Sequence, residues 1–177
     1  MEKRGKKAVM MVGIDETEHS FYALEWTLTH FFPSQTAHHF QLLALHAKPS
    51  PSSLVDLQPD SGSAEFISIV GGDLNSTAHR TIQKAKDICG RKSVNVITEV
   101  VEGDARTVLC EAAERHGATV LVVGCHGYGA VKRVILGSVS DYCVQHAHCS
   151  VMVVKRPKIK HLHNSSSSHT HFPIQKV

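Results

Sequence analysis

The alternation of short, continuously apolar runs with longer amphipathic stretches limits this chain to few folds. Ala8 to Ile14 is apolar throughout and ends at Gly13-Ile14-Asp15, the pattern of a strand buried on both faces. Phe40 to His46, Val94 to Val101, Thr119 to Val123 and Ser150 to Val154 read as four further strands, apolar with isolated polar positions. Between them lie helical patterns. Phe21, Leu24, Leu28 and Phe31 recur at helical spacing behind a cap at Asp15 or Thr17, with Pro33 beyond. Leu74, Ala78, Ile82, Ala85 and Cys89 predict a helix of about four turns stopped by Gly90. Ala105, Leu109, Ala112 and His116 follow a Gly103-Asp104 turn and cap, and Gly117 ends that helix. Ser138 to Ala147 predicts a last, short one. Helices of this length serve as parallel crossovers, so the expected class is α/β, a five-stranded open parallel sheet with helices on both faces.

The 177 residues suffice for one domain with a short extension. The expected division is a flexible 1–7, a folded 8–155, and a tail 156–177 that is basic and then rich in His and Ser. The stretch from Lys48 to Ser63 carries three prolines and many serines and reads as a long mobile loop. A formal charge of +3 is too small for a general nucleic-acid binder. No apolar run reaches the roughly 18 residues of a membrane span. We therefore expect a cytoplasmic protein, with nuclear entry left open by the basic run Lys155 to Lys160. The five cysteines, odd in number and without a CxxC spacing, read as reduced thiols rather than a disulfide or zinc framework.

Ligands of open parallel sheets sit beyond the carboxyl ends of the strands, where the strand order reverses. The fourth strand runs directly into Gly124-Cys125-His126-Gly127-Tyr128-Gly129, and nine residues after Gly127 come Gly137-Ser138 at the start of the last helix. Glycines let backbone approach phosphate oxygens, and free N–H groups at a helix start attract an anion. Ser138 and Ser140 add hydroxyl donors. The competing reading is a tight turn followed by a Ser138/Asp141 capping box that needs no ligand.

Gly124-x-x-Gly127, nine residues, Gly137-Ser138, with Asp15 ending the first strand and Val151-Met152-Val153-Val154 as the fifth, resembles the universal stress protein family. The run GYGAVKRVILGSVSDYCVQHAHCSVMVVK looks like its single-domain plant members. The resemblance implies a Rossmann-like sheet in the order 3-2-1-4-5, with ATP or AMP as ligand and Mg²⁺ accompanying ATP. Asp15 would then hold the ribose and adenine side, and the backbone at Gly13 and Ala47 would meet the adenine. Gly124, Cys125, His126, Gly127, Tyr128, Gly129 and Ala130 would wrap ribose and phosphates, and Gly137, Ser138, Val139 and Ser140 would hold the phosphate tail. It also implies a homodimer paired through strand 151–154. Ser150 where many relatives have Pro, and Ala47 where Val is frequent, are mild departures.

The function expected on these grounds is a nucleotide-dependent regulatory dimer acting in stress response. An enzyme of phosphoryl transfer would need a GxxxxGK[ST] loop or a kinase catalytic loop, and the sequence has neither. Slow ATP hydrolysis stays open. A third reading is a chaperone-like or redox-responsive interaction module with incidental nucleotide, suggested by the apolar fifth strand and by Cys125, Cys143 and Cys149. No rigid histidine set marks a metal site.

Overall fold

The computed structural model describes residues 7–33, 39–55, 64–125 and 136–157. The expected glycine-loop residues His126, Gly127, Tyr128, Gly129 and Ala130 lie outside these, as do most of the amino-terminal segment and tail. Five parallel strands form one sheet: β1 (Ala8–Ile14), β2 (Phe40–Lys48), β3 (Val96–Glu102), β4 (Ala118–Cys125) and β5 (Ser150–Lys155). Their order is β3-β2-β1-β4-β5, as the resemblance implied. The helices are α1 (Glu18–Phe31), α2 (Pro51–Val55), α3 (Ala64–Arg91), α4 (Ala105–Arg115) and α5 (Ser138–His146). None among the described residues is long and apolar enough to cross a membrane.

The sheet is covered twice, which is why its central strand has no polar position. Met10, Val12 and Ile14 face α1 and α3, packing with Leu24, Leu28, Ala85 and Cys89. Val9 and Met11 face α4 and α5, packing with Leu109, Ala112, Leu121 and Cys143. Alternate residues of β1 therefore serve different cores, as a period of two requires. In register, Gly13 lies opposite Leu45 and Ile14 opposite His46. The His46 Nδ1–H donates to the Ile14 carbonyl at 2.9 Å, joining the carboxyl ends of β1 and β2 within the core.

Helix α3 departs most from expectation, starting at Ala64 and running 28 residues, through Gly71-Gly72 and past Gly90. At about 1.5 Å per residue it is some 42 Å long, well beyond the strands it covers. Gly90 does not terminate it. The left-handed residue is Ser93, at φ 55°; the Ser93 N–H bonds the Gly90 carbonyl and the Val94 N–H the Cys89 carbonyl, each at 3.0 Å. Residues 51–55 of the expected loop form α2. Strand β4 extends two residues further than predicted, so Gly124 and Cys125 are strand residues, opposite Val154 and Lys155.

Gly124 is needed for packing. A Cβ there would stand 2.6 Å from the His19 carbonyl oxygen and 3.0 Å from the Ser20 nitrogen, so the first turn of α1 rests directly on β4. Nothing lies within 4 Å of a Cβ at Gly90. Gly124→Ala should therefore cost roughly 1–3 kcal/mol through a backbone clash, lowering Tm by about 3–10 °C. Gly90→Ala should raise stability by about 0.4–1 kcal/mol, because the helical backbone there already suits alanine. Thermal and urea melts of the two variants check both signs.

Candidate functional site

The helices that follow β1, β3 and β4 begin at the carboxyl edge of the sheet, as does the short α2, and their starts differ. In α1 the N-cap is Thr17, whose Oγ1 accepts from the Ser20 N–H at 3.3 Å. In α4 it is Asp104, whose carboxylate accepts from the Arg106 N–H at 3.0 Å and pairs with the Arg106 guanidinium at 2.9 Å. That guanidinium holds the Asp104 carboxyl below its ordinary range. In α5 the N-cap is Gly137, with no side-chain cap. The predicted Ser138/Asp141 box is not made: Asp141 Oδ2 accepts from Gln145 Nε2 at 2.8 Å, and its own N–H closes the first helical turn on Gly137 at 2.9 Å. The buried Ser140 hydroxyl donates to the Gly137 carbonyl at 2.9 Å, so it is committed to the turn. Ser138 keeps an exposed side chain. The first turn of α5 thus presents N–H groups and the positive end of a helix dipole without a side-chain cap, its one acidic residue, Asp141, being turned to Gln145.

The connection from β1 to α1 is tightly held. Ser20, 5% exposed, accepts from the Asp15 N–H at 3.1 Å and donates to the Asp15 carbonyl at 2.9 Å, with the Thr17 carbonyl 3.1 Å from the same hydroxyl. Asp15 Oδ1 accepts from the Thr17 N–H at 2.9 Å and from the Thr17 hydroxyl at 2.5 Å. At the far rim, the Lys48 ammonium joins Asn75 at 2.9 Å and Glu102 at 3.0 Å, and the Lys48 carbonyl accepts from the Gly103 N–H at 2.8 Å.

A cavity of about 240 Å³ lies between these elements, at the carboxyl ends of β1 and β4. Leu45, Ala47, Ala105 and Leu109 are apolar residues of its lining, Asp15, Thr17 and Ser20 border it, and Gly137 with the first turn of α5, Ser138 to Ser140, completes it. Of the residues expected from sequence, Gly13, Asp15, Ala47, Gly124, Gly137, Ser138, Val139 and Ser140 line it. Cys125 is buried on β4 and is not part of the described wall. Gly13 is glycine for a reason of packing as well: the Leu109 methyls would stand 3.0 and 3.1 Å from a Cβ there. The sequence reading missed Ile14, Thr17, Ser20, Leu45, Ala105, Leu109 and Val123 as wall residues. Hydroxyls two and five positions after Asp15 were the available signal for Thr17 and Ser20; the rest read as generic core.

Comparison with known proteins places this architecture. The family model "Universal stress protein family" matches residues 8–155. A curated relative, universal stress protein MJ0531 of Methanocaldococcus jannaschii, is 35% identical over 100 residues, which span 56% of this chain and 57% of that protein. The universal stress protein A-like protein of Arabidopsis thaliana is 32% identical over 143 residues, 76% of this chain and 77% of that protein. Among solved structures, a universal stress protein family protein of Arabidopsis thaliana with AMP bound superposes with a TM-score of 0.64 at 25% identity, covering 85% of this chain and 92% of that one. The match across the whole sheet, and the shared topology, lead to one conclusion: this chain belongs to the universal stress protein family.

Proposed function

We propose that the chain binds an adenine nucleotide, AMP or ATP, in the crevice between β1 and β4, and acts in the cytoplasm as a nucleotide-dependent regulatory homodimer in stress response. The observation that carries the proposal is the mixed chemistry of the cavity's lining. An apolar slot of Leu45, Ala47, Ala105 and Leu109 suits a base. Asp15, just past the end of β1 and so between β2 and β4, adds a carboxylate, an acceptor suited to sugar hydroxyls. The α5 start, without a side-chain cap, suits phosphate. The AMP-bound Arabidopsis relative supports the same ligand class. Among the described residues no group of three or more His, Cys, Asp or Glu is arranged to hold a metal, so Mg²⁺ would ride on the phosphates of ATP.

The regulatory part follows from connectivity. The helix that would take the phosphate leads through 147–149 into β5, an edge of the sheet. An apolar edge strand calls for a partner, and a second copy pairing along Ser150–Lys155 supplies it with twofold symmetry. A ligand that binds one arrangement of α5 more tightly shifts the population of that edge.

Ser138→Asp tests the phosphate end without harming the helix, since a carboxylate in a first turn favours helix formation. Its charge should weaken AMP about tenfold, after allowance for solvent screening, and leave adenosine unchanged in calorimetric titration. Light scattering on the same samples should read twice the chain mass. Equal AMP affinity in the two proteins, or a monomer, would contradict the proposal.

A redox-responsive reading draws little support from the thiols. Burial pushes Cys143 up to about 12 and Cys89 up to about 11, from an ordinary value of 9.0. Burial raises Cys110 and Cys149 as well. The fold favours these thiols protonated, so their contribution to stability is complete below about pH 9 and lost as pH rises through 11 and 12. Iodoacetamide at pH 7.5 should leave Cys89 and Cys143 unlabelled in native protein and label both in urea, as peptide mass spectrometry would report.

A further inference from the structure

We infer that Thr17 is a positioning residue for ligand recognition: its hydroxyl relays a hydrogen bond from the Ser20 N–H to Asp15 Oδ1 and so presents the Asp15 carboxylate to the sugar hydroxyls of a bound nucleotide. This inference rests on the crevice being a nucleotide site.

The direction of the relay is fixed by its members. The Ser20 N–H can only donate, so Thr17 Oγ1 accepts at 3.3 Å and its single proton points elsewhere. Asp15 Oδ1, an acceptor when ionised, takes that proton at 2.5 Å and the Thr17 N–H at 2.9 Å. Two donors on one oxygen set the carboxylate plane, and among the described residues Oδ2 takes no hydrogen bond. Ser20 holds the Asp15 backbone at both its N–H and its carbonyl. The carboxylate therefore meets a ligand already oriented, without the loss of rotamer freedom that weakens binding by a mobile side chain.

Thr17 also caps α1 itself. Either Asp15 or Thr17 could have capped this helix; with Thr17 in that place, Asp15 is left for the cavity wall it borders. An ionised carboxylate only accepts, so it must face a donor. Asp15 follows β1, flanked in the sheet by β2, which carries Leu45 and Ala47, and by β4, and for a nucleotide laid across these strand ends the donors it would meet are the ribose hydroxyls.

Titration of Thr17→Val and Thr17→Ser with AMP and with 2′,3′-dideoxy-AMP separates this role from simple capping. Thr17→Val should weaken AMP about tenfold, the effect of disturbing one hydrogen bond to a charged group, and leave dideoxy-AMP within about twofold. Thr17→Ser, which keeps the hydroxyl, should restore AMP binding. Thr17→Gly removes the hydroxyl while remaining an accepted N-cap residue; it should repeat the valine result and serves if valine unfolds the chain. Equal losses for both ligands, or no loss for either, would overturn the positioning role. Failure of the unaltered protein to bind either nucleotide would instead sink the crevice reading, and this role with it.

Discussion

The first turn of α1 lies on the end of β4 so closely that position 124 has no room for a Cβ, with the His19 carbonyl oxygen 2.6 Å from where it would be. That contact determines much of what surrounds the crevice. It brings the β1–α1 connection against the fourth strand, so Asp15, Thr17 and Ser20 border the gap between β1 and β4 instead of standing above it. The hydroxyls of Thr17 and Ser20 then satisfy the loop's polar groups locally, as a partly buried turn requires. A larger residue at 124 would move α1, and with it the whole polar wall.

A second constraint is the treatment of helix starts. At the same edge of one sheet, α1 and α4 satisfy their first N–H groups with Thr17 and Asp104, whereas α5 begins at Gly137 without a side-chain cap. An N-cap side chain typically stabilises a helix by about 1 kcal/mol, and its omission at α5 suits the external anion proposed there. Stability and binding therefore meet in α5, which is also the element leading into the edge strand β5.

Most of the architecture was legible because burial on both faces leaves a strong trace: β1 is apolar at every position, and each crossover helix shows one apolar face. The strand order was legible only through family resemblance, since periodicity carries no information about which strands are neighbours. The first ten residues of α3 escaped because Gly71, Gly72 and Asp73 depress helix propensity and because residues 67–73 have no buried face to leave a periodic trace: Ile67 and Ile69 are exposed. Gly90 misled for the opposite reason, a favourable stop residue that the chain does not use, while Ser93 adopts the left-handed turn. The short α2, five residues long, falls below what a 3.6-residue period can reveal. At the site, Asp15 and residues 137–140 could be found through the family resemblance that the glycine-serine spacing carries. Which hydroxyl caps α1, and which apolar side chains line the cavity, depend on side-chain directions that spacing does not encode.

Amide chemical shifts of the isotope-labelled protein titrated with AMP test the central claim most directly. The account predicts that the largest changes fall on Gly13 to Thr17, on Ala47 and on Ser138 to Ser140, residues around one cavity. Changes confined to the opposite edge of the sheet, or absent at Ser138 to Ser140, would contradict it.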